Sequence, residues 1–167
     1  MINFAKDYVL PRLRLCALEM GVTQAWATAP RQVITKDDCV CAYSLIGATF
    51  QPTIRTKGQV KVARTYIQRF LIYPFSIGLD DIELGAESNV LALDWESKIH
   101  FYYESHFRLG TAELGDLRYC EGVVSITDGG LVTRPAPGGG LFSAIEVSLN
   151  IIMGAKADVF SAPYQEV

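Results

Sequence analysis

From Gln59 to Ile72 the chain alternates: Val60, Val62, Tyr66, Phe70 and Ile72 are interleaved with Gln59, Lys61, Thr65 and Arg69, a period of two held for about fourteen residues. Successive side chains of an extended backbone point to opposite faces, so this pattern predicts a long, half-buried β-strand. Pro74 ends it. A second strict alternation lies near the other end, where Ile145, Val147, Leu149, Ile151 and Met153 are interleaved with Ala144, Glu146, Ser148, Asn150 and Ile152. It predicts a strand with one face on the core and the other on solvent or a neighbour.

Around these strands the period changes. Ile2, Ala5, Val9, Leu13, Cys16 and Met20 recur every three or four residues, which predicts an N-terminal helix stopped by Gly21. Pro11 either kinks that helix or starts it. Leu91, Trp95, Ile99 and Tyr102 fall on one helical face behind Ser88 as N-cap, predicting a second helix over 88–104, with Asp94, Glu96 and Lys98 mostly directed away. Residues 119–126 and 131–134 read as two strands joined by a tight turn at Thr127-Asp128-Gly129-Gly130, followed by a flexible tip at 135–140.

Residues 22–58, broken by Pro30, Gly47, Pro52 and Gly58, read as an extended arm or long loop with one short strand at 39–45. Long loops in compact domains tend to be functional or ordered by a partner, so Trp26, Phe50 and Ile54 are candidate assembly contacts. Strands joined by hairpins rather than by helical crossovers indicate an α+β fold: an antiparallel or mixed sheet with two helices packed on one face. One domain is expected over 1–155, with 156–167 as a tail.

A chain of 167 residues buries roughly 70% of its unfolded surface and needs no staples, so two full domains are not expected. Fifteen Lys and Arg against 18 Asp and Glu give a net charge of −3, which excludes the basic excess of a phosphate-clamping domain. No apolar run reaches membrane-spanning length, and Lys6, Asp7, Arg12, Arg14 and Glu19 interrupt the apolar centre a secretory signal needs. Maturation where the chain is made is the expectation.

Groups suited to chemistry are sparse. Cys16, Cys39, Cys41 and Cys120 are too few for a disulfide scaffold, and Cys39-x-Cys41 is one residue short of a zinc knuckle. His100 and His106 stand six apart, a spacing that suits no common metal site. Gly138, Gly139 and Gly140 precede no helix start, and Asp80, Asp81, Glu83 and Glu87 lack the spacing of a calcium loop. Phe101-Tyr102-Tyr103 reads as core and interface rather than a base-stacking platform. No catalytic, cofactor-binding or metal-ligating residue is expected, and no enzyme.

Taken together, the order of elements resembles that of the tail terminator, or tail completion, proteins of long-tailed bacteriophages. The resemblance covers about residues 2–155. It is carried by the long strand with Arg64-Thr65-Tyr66 in its middle, the His106-Phe107-Arg108-Leu109 turn after the second helix, Thr127-Asp128-Gly129-Gly130, and the final alternating strand.

It implies a structural virion protein in the tail or neck, a ring with six copies as the expected number. Such a ring caps the head-proximal end of the tail tube, ends its polymerisation and joins it to the head connector. Its partners would be further copies of itself, the tail tube protein and head-tail connector proteins, with DNA only passing through the lumen and no membrane. Another virion ring component, or a small α+β ligand-binding domain, remains an alternative. A ring needs head-to-tail contacts between two different patches. Candidates are the arm with Trp26, Phe50 and Ile54, and the outer strand faces around Arg64, Arg69, Glu146 and Asn150, where a neighbour could continue the sheet.

Overall fold

The computed structural model describes residues 3–30, 40–51, 53–56, 58–72, 82–109, 118–135 and 141–156. Cys39, Asp80, Asp81, residues 136–140 and the expected tail beyond Lys156 lie outside them, as do the side chains of Glu83 and Glu87.

Helix α1, Leu10–Met20, is entered through a π-helical turn, Ala5–Val9. Pro11 sits in the first turn of α1, directly after the π-helical turn, and the helical run continues through it. The start is closed reciprocally: the Asn3 side chain accepts the Lys6 N–H at 3.1 Å, and the Asp7 carboxylate accepts the Asn3 N–H at 2.8 Å. Tyr8, Val9, Leu10, Leu13, Cys16, Ala17 and Met20 are buried along one side, as the periodicity predicts.

Strand β1 is Gln24–Ala25, β2 is Val40–Thr49, β3 is Ile54–Thr56 and β4 is Gln59–Ile72. Helix α2, Ile82–Ser105, begins ahead of the predicted Ser88. Gly85 and Ser88 each cost a helix no more than about 1 kcal/mol, too little to stop one. Strands β5, Arg118–Pro135, and β6, Leu141–Lys156, complete the fold.

The strands form one sheet in the order β1-β2-β4-β6-β5, with β3 pairing β4 beside β2. Among the described residues every pairing is antiparallel except the parallel contact of β1 with β2, so the fold is α+β, a mixed sheet with two described helices. Both helices contribute to one large core. Val40 and Ala42 of β2, Tyr66, Phe70 and Ile72 of β4, and Ile145, Val147, Leu149, Ile151 and Met153 of β6 meet α1 and α2 there. Phe70 lies 6.2 Å from Trp95, ring centre to ring centre. Gln68 is buried on the same face, its amide donating to the Leu13 carbonyl at 2.9 Å and its carbonyl accepting from the Tyr103 hydroxyl. That polar group is tolerated because both ends are bonded.

Two sequence expectations are corrected. The stretch 22–58 is not an arm with one short strand: it supplies β1, β3 and the ten-residue β2, which lies inside the sheet between β1 and β4. Its Thr, Ala and Gly residues hide the alternation, but pairing from Val40 opposite Ile72 to Thr49 opposite Arg64 holds it extended. Thr127-Asp128-Gly129-Gly130 is not a reversal either. Strand β5 runs through it as a bulge: Asp128 stands opposite Val147 and Leu131 opposite Ile145, so β5 carries one extra residue there. Asp128 Oδ1 accepts the Gly130 N–H at 2.7 Å, and Gly130 takes φ 75°, so turn chemistry shapes a bulge. The chain reverses later, beyond Pro135, which pairs with Leu141.

Candidate functional site

Alternation that turns Tyr66, Gln68 and Phe70 toward the helices turns Thr65, Arg69 and Leu71 of β4 the other way. Among the described residues neither helix contributes to the apolar cluster on that second face, where Cys41, Tyr43, Leu71 and Ala144 are buried with Trp26, Leu45 and Val132 packed against them. Beyond this cluster the face becomes polar, in two rows running across the strands.

In the first row Tyr43, Arg69 and Glu146 are direct cross-strand partners. The Arg69 Nε donates to Glu146 Oε1 at 2.7 Å and a terminal nitrogen donates to the Tyr43 hydroxyl at 2.7 Å. Burial disfavours the Arg69 charge, but the Tyr43 hydroxyl and the Glu146 carboxylate outweigh it and hold the guanidinium above its ordinary value. In the second row Thr65, Asn150 and Ser125 are partners across three strands. The Thr65 hydroxyl donates to Asn150 Oδ1 at 2.6 Å, and Asn150 Nδ2 donates to the Ser125 hydroxyl at 2.7 Å.

The sheet also presents two unlike edges. Among the described strands β5 pairs only with β6, over 18 residues, and β1 covers β2 only at Cys41 and Ala42. Along β5, the Val123 N–H is taken by the Phe107 carbonyl at 2.7 Å. Val124 beside it is 52% exposed. Open edges of this length template pairing with another chain unless they are blunted or covered.

The sequence-predicted contact residues divide between these surfaces. Arg69, Glu146 and Asn150 come together on the second face, and Trp26 packs at its apolar end. Ile54 is exposed in β3 opposite Lys61, and Phe50 is half-buried after β2, its N–H donating to the Ala63 carbonyl at 3.2 Å. Arg64 does not belong with them. It shares the parity of Val62 and Tyr66, stands opposite the buried Ile151 on the helix face, and its Nε is buried without a described hydrogen-bond partner. Tyr43, Thr65 and Ser125 were missed, because pairing partners follow from register, which one strand's periodicity does not reveal.

A separate cluster joins α2 to the β5 bulge. Glu96 and His100, one helical turn apart, face Asp128, and one ligating atom from each lies within 4.8 Å of the others. His100 Nε2 is 3.9 Å from Asp128 Oδ2. A hydrogen bond with Asp128, with burial and the Asp128 charge behind it, holds the Glu96 carboxyl above the usual carboxylate range. The Glu-x-x-x-His spacing is present in the sequence, but a tight turn at Thr127-Asp128-Gly129-Gly130, as expected there, gives no reason to set Asp128 against the helix. No helix of the described residues is long and apolar enough to cross a membrane. No protein-family model matches the chain, and no curated protein matches it.

Proposed function

We propose that this chain is a ring-forming virion protein that caps the head-proximal end of a phage tail tube, ends its polymerisation and joins it to the head connector. The observation that supports ring formation best is that, among the described strands, the sheet has two unlike unpaired edges, 18-residue β5 on one side and β2 beyond Ala42 on the other. A head-to-tail ring uses two different patches of each subunit, and edge-to-edge pairing continues a sheet without new side-chain chemistry. The terminator role itself rests on the resemblance carried by the long strand with Arg64-Thr65-Tyr66, the His106-Phe107-Arg108-Leu109 turn and the final alternating strand. The reading assigns the chain no catalytic role, places it in the tail or neck, and gives it tail tube and connector proteins as partners.

Native mass spectrometry and light scattering test the assembly. A closed ring, six copies being the expectation, supports the reading. A strict monomer at high concentration that forms no ring on adding tail tubes overturns it, and open-ended polymerisation favours a tube protein. Negative-stain images of particles lacking the protein should show tails of uncontrolled length. At a net charge of −3 the lumen should bind DNA very weakly and without salt dependence; tight, salt-sensitive binding contradicts a passive channel.

A further inference from the structure

We propose that Glu96, His100 and Asp128 bind a divalent transition-metal ion, zinc foremost, that clasps α2 to the bulge of β5. The inference is independent of the ring reading. One imidazole with two carboxylates is a donor set that suits zinc and its neighbours, whereas calcium takes six to eight oxygens and magnesium dehydrates reluctantly.

The geometry is close to what such an ion needs. Bonds of about 2.0–2.2 Å place tetrahedral donors roughly 3.3 Å apart. The 3.9 Å between His100 Nε2 and Asp128 Oδ2 is within a small side-chain adjustment of that, and Glu96 Oε lies within 4.8 Å of both. All three side chains are half-buried, so neither full desolvation nor free rotation opposes binding.

The support behind one ligand is already built. Asp128 Oδ1 accepts the Gly130 N–H at 2.7 Å, which orients the carboxylate and leaves Oδ2 directed at His100. A hydrogen bond that fixes a ligating carboxylate in this way is the usual outer support of a metal site. The bulge supplies it, because the backbone between Asp128 and Gly130 brings the Gly130 N–H back to the side chain two residues earlier. Two carboxylates and an imidazole that converge within 4.8 Å of one another are met together by one cation placed between them.

The full chain, stripped with a chelator and exchanged into chelator-free buffer, is titrated with zinc alone and followed by thermal unfolding and calorimetry. One-to-one binding is expected, with the unfolding midpoint rising by about 5–10 °C when zinc exceeds its dissociation constant a hundredfold. Magnesium should produce no comparable shift. His100→Gln and Asp128→Asn should each weaken zinc binding at least tenfold while keeping the metal-free midpoint near that of the wild type. Asp128→Asn retains an oxygen for the Gly130 N–H, so it reports on ligation even if the other variant folds poorly. No zinc-dependent shift in the wild-type chain overturns the proposal. So does an undiminished shift in both variants, or a cobalt-substituted spectrum dominated by thiolate charge transfer, which would assign the metal to cysteines.

Discussion

Cys16 shows how one side chain couples packing to pH. It is buried beneath α2, and burial above all, with Glu19 adding to it, pushes the thiol up to about 11 from 9.0, against the opposing pull of a Tyr102 hydrogen bond and of Arg12. Tyr102 and Tyr103 are shifted in the same direction, chiefly by desolvation. The unfolded thiol ionises near 9, while the folded one holds its proton to about 11. Its contribution is therefore complete below pH 9 and is lost as pH climbs through that window, by roughly 2 kcal/mol for this group. Denaturant titrations at a series of alkaline pH values should show the decline, and Cys16→Ala should lose less over the same interval. At neutral pH Cys16 should resist alkylation in the native protein and react on unfolding, as peptide mapping by mass spectrometry would show.

Among the elements β5 is the most irregular, and its glycines divide by what surrounds them. Gly122 takes φ 116° where the turn after α2 crosses the strand, and a Cβ there would stand 2.7 Å from the Phe107 carbonyl oxygen. That same oxygen accepts the Val123 N–H, so it cannot retreat without breaking a bond. Gly130 also has positive φ, but no described atom lies within 4 Å of where its Cβ would stand. Gly122→Ala should thus cost about 3 kcal/mol or more, and Gly130→Ala only about 1 kcal/mol, measured by chemical denaturation. Three bulges in β5 also explain why this strand was only partly legible. Each inserts one residue and swaps faces, so Val123 and Ile126, three residues apart, both stand opposite core residues of β6, and the period of two breaks between them. Strands β4 and β6 pair from Gln59 opposite Lys156 to Ile72 opposite Ser143 without a shift, and there the alternation could be read directly.

At the scale of the whole molecule the helices cover one face of the sheet, and among the described strands β5 pairs only with β6. If the proposed ring pairs edge to edge, a charge on β5 should prevent it without harming the fold. Val124, exposed and in the edge strand, is the position to test. Val124→Lys should change stability by less than about 0.5 kcal/mol and yield monomers by light scattering under conditions where the wild type assembles. Unchanged assembly would remove β5 from the interface. The Tyr43–Arg69–Glu146 row lies on a different surface, so a variant there separates face contacts from edge contacts.

By itself the sequence determined the two long strands, the two helical faces and the α+β class, because each rests on a local period that the backbone geometry imposes. It also brought Arg69, Glu146 and Asn150 into consideration as outward polar residues of those strands. Only the tertiary structure decided which side chains meet. The parity that puts Arg64 on the face of Val62 and Tyr66 is already present in the sequence, whereas register placed Tyr43 beside Arg69 and Ser125 beside Asn150. The same is true of Asp128. Its Asp-Gly-Gly context favours a turn locally, but pairing of β5 with β6 on both sides of it keeps the strand running and sets its carboxylate against Glu96 and His100. Pairing energy summed over a long ladder outweighs the preference of one short segment, and that sum exists only once the strands have met.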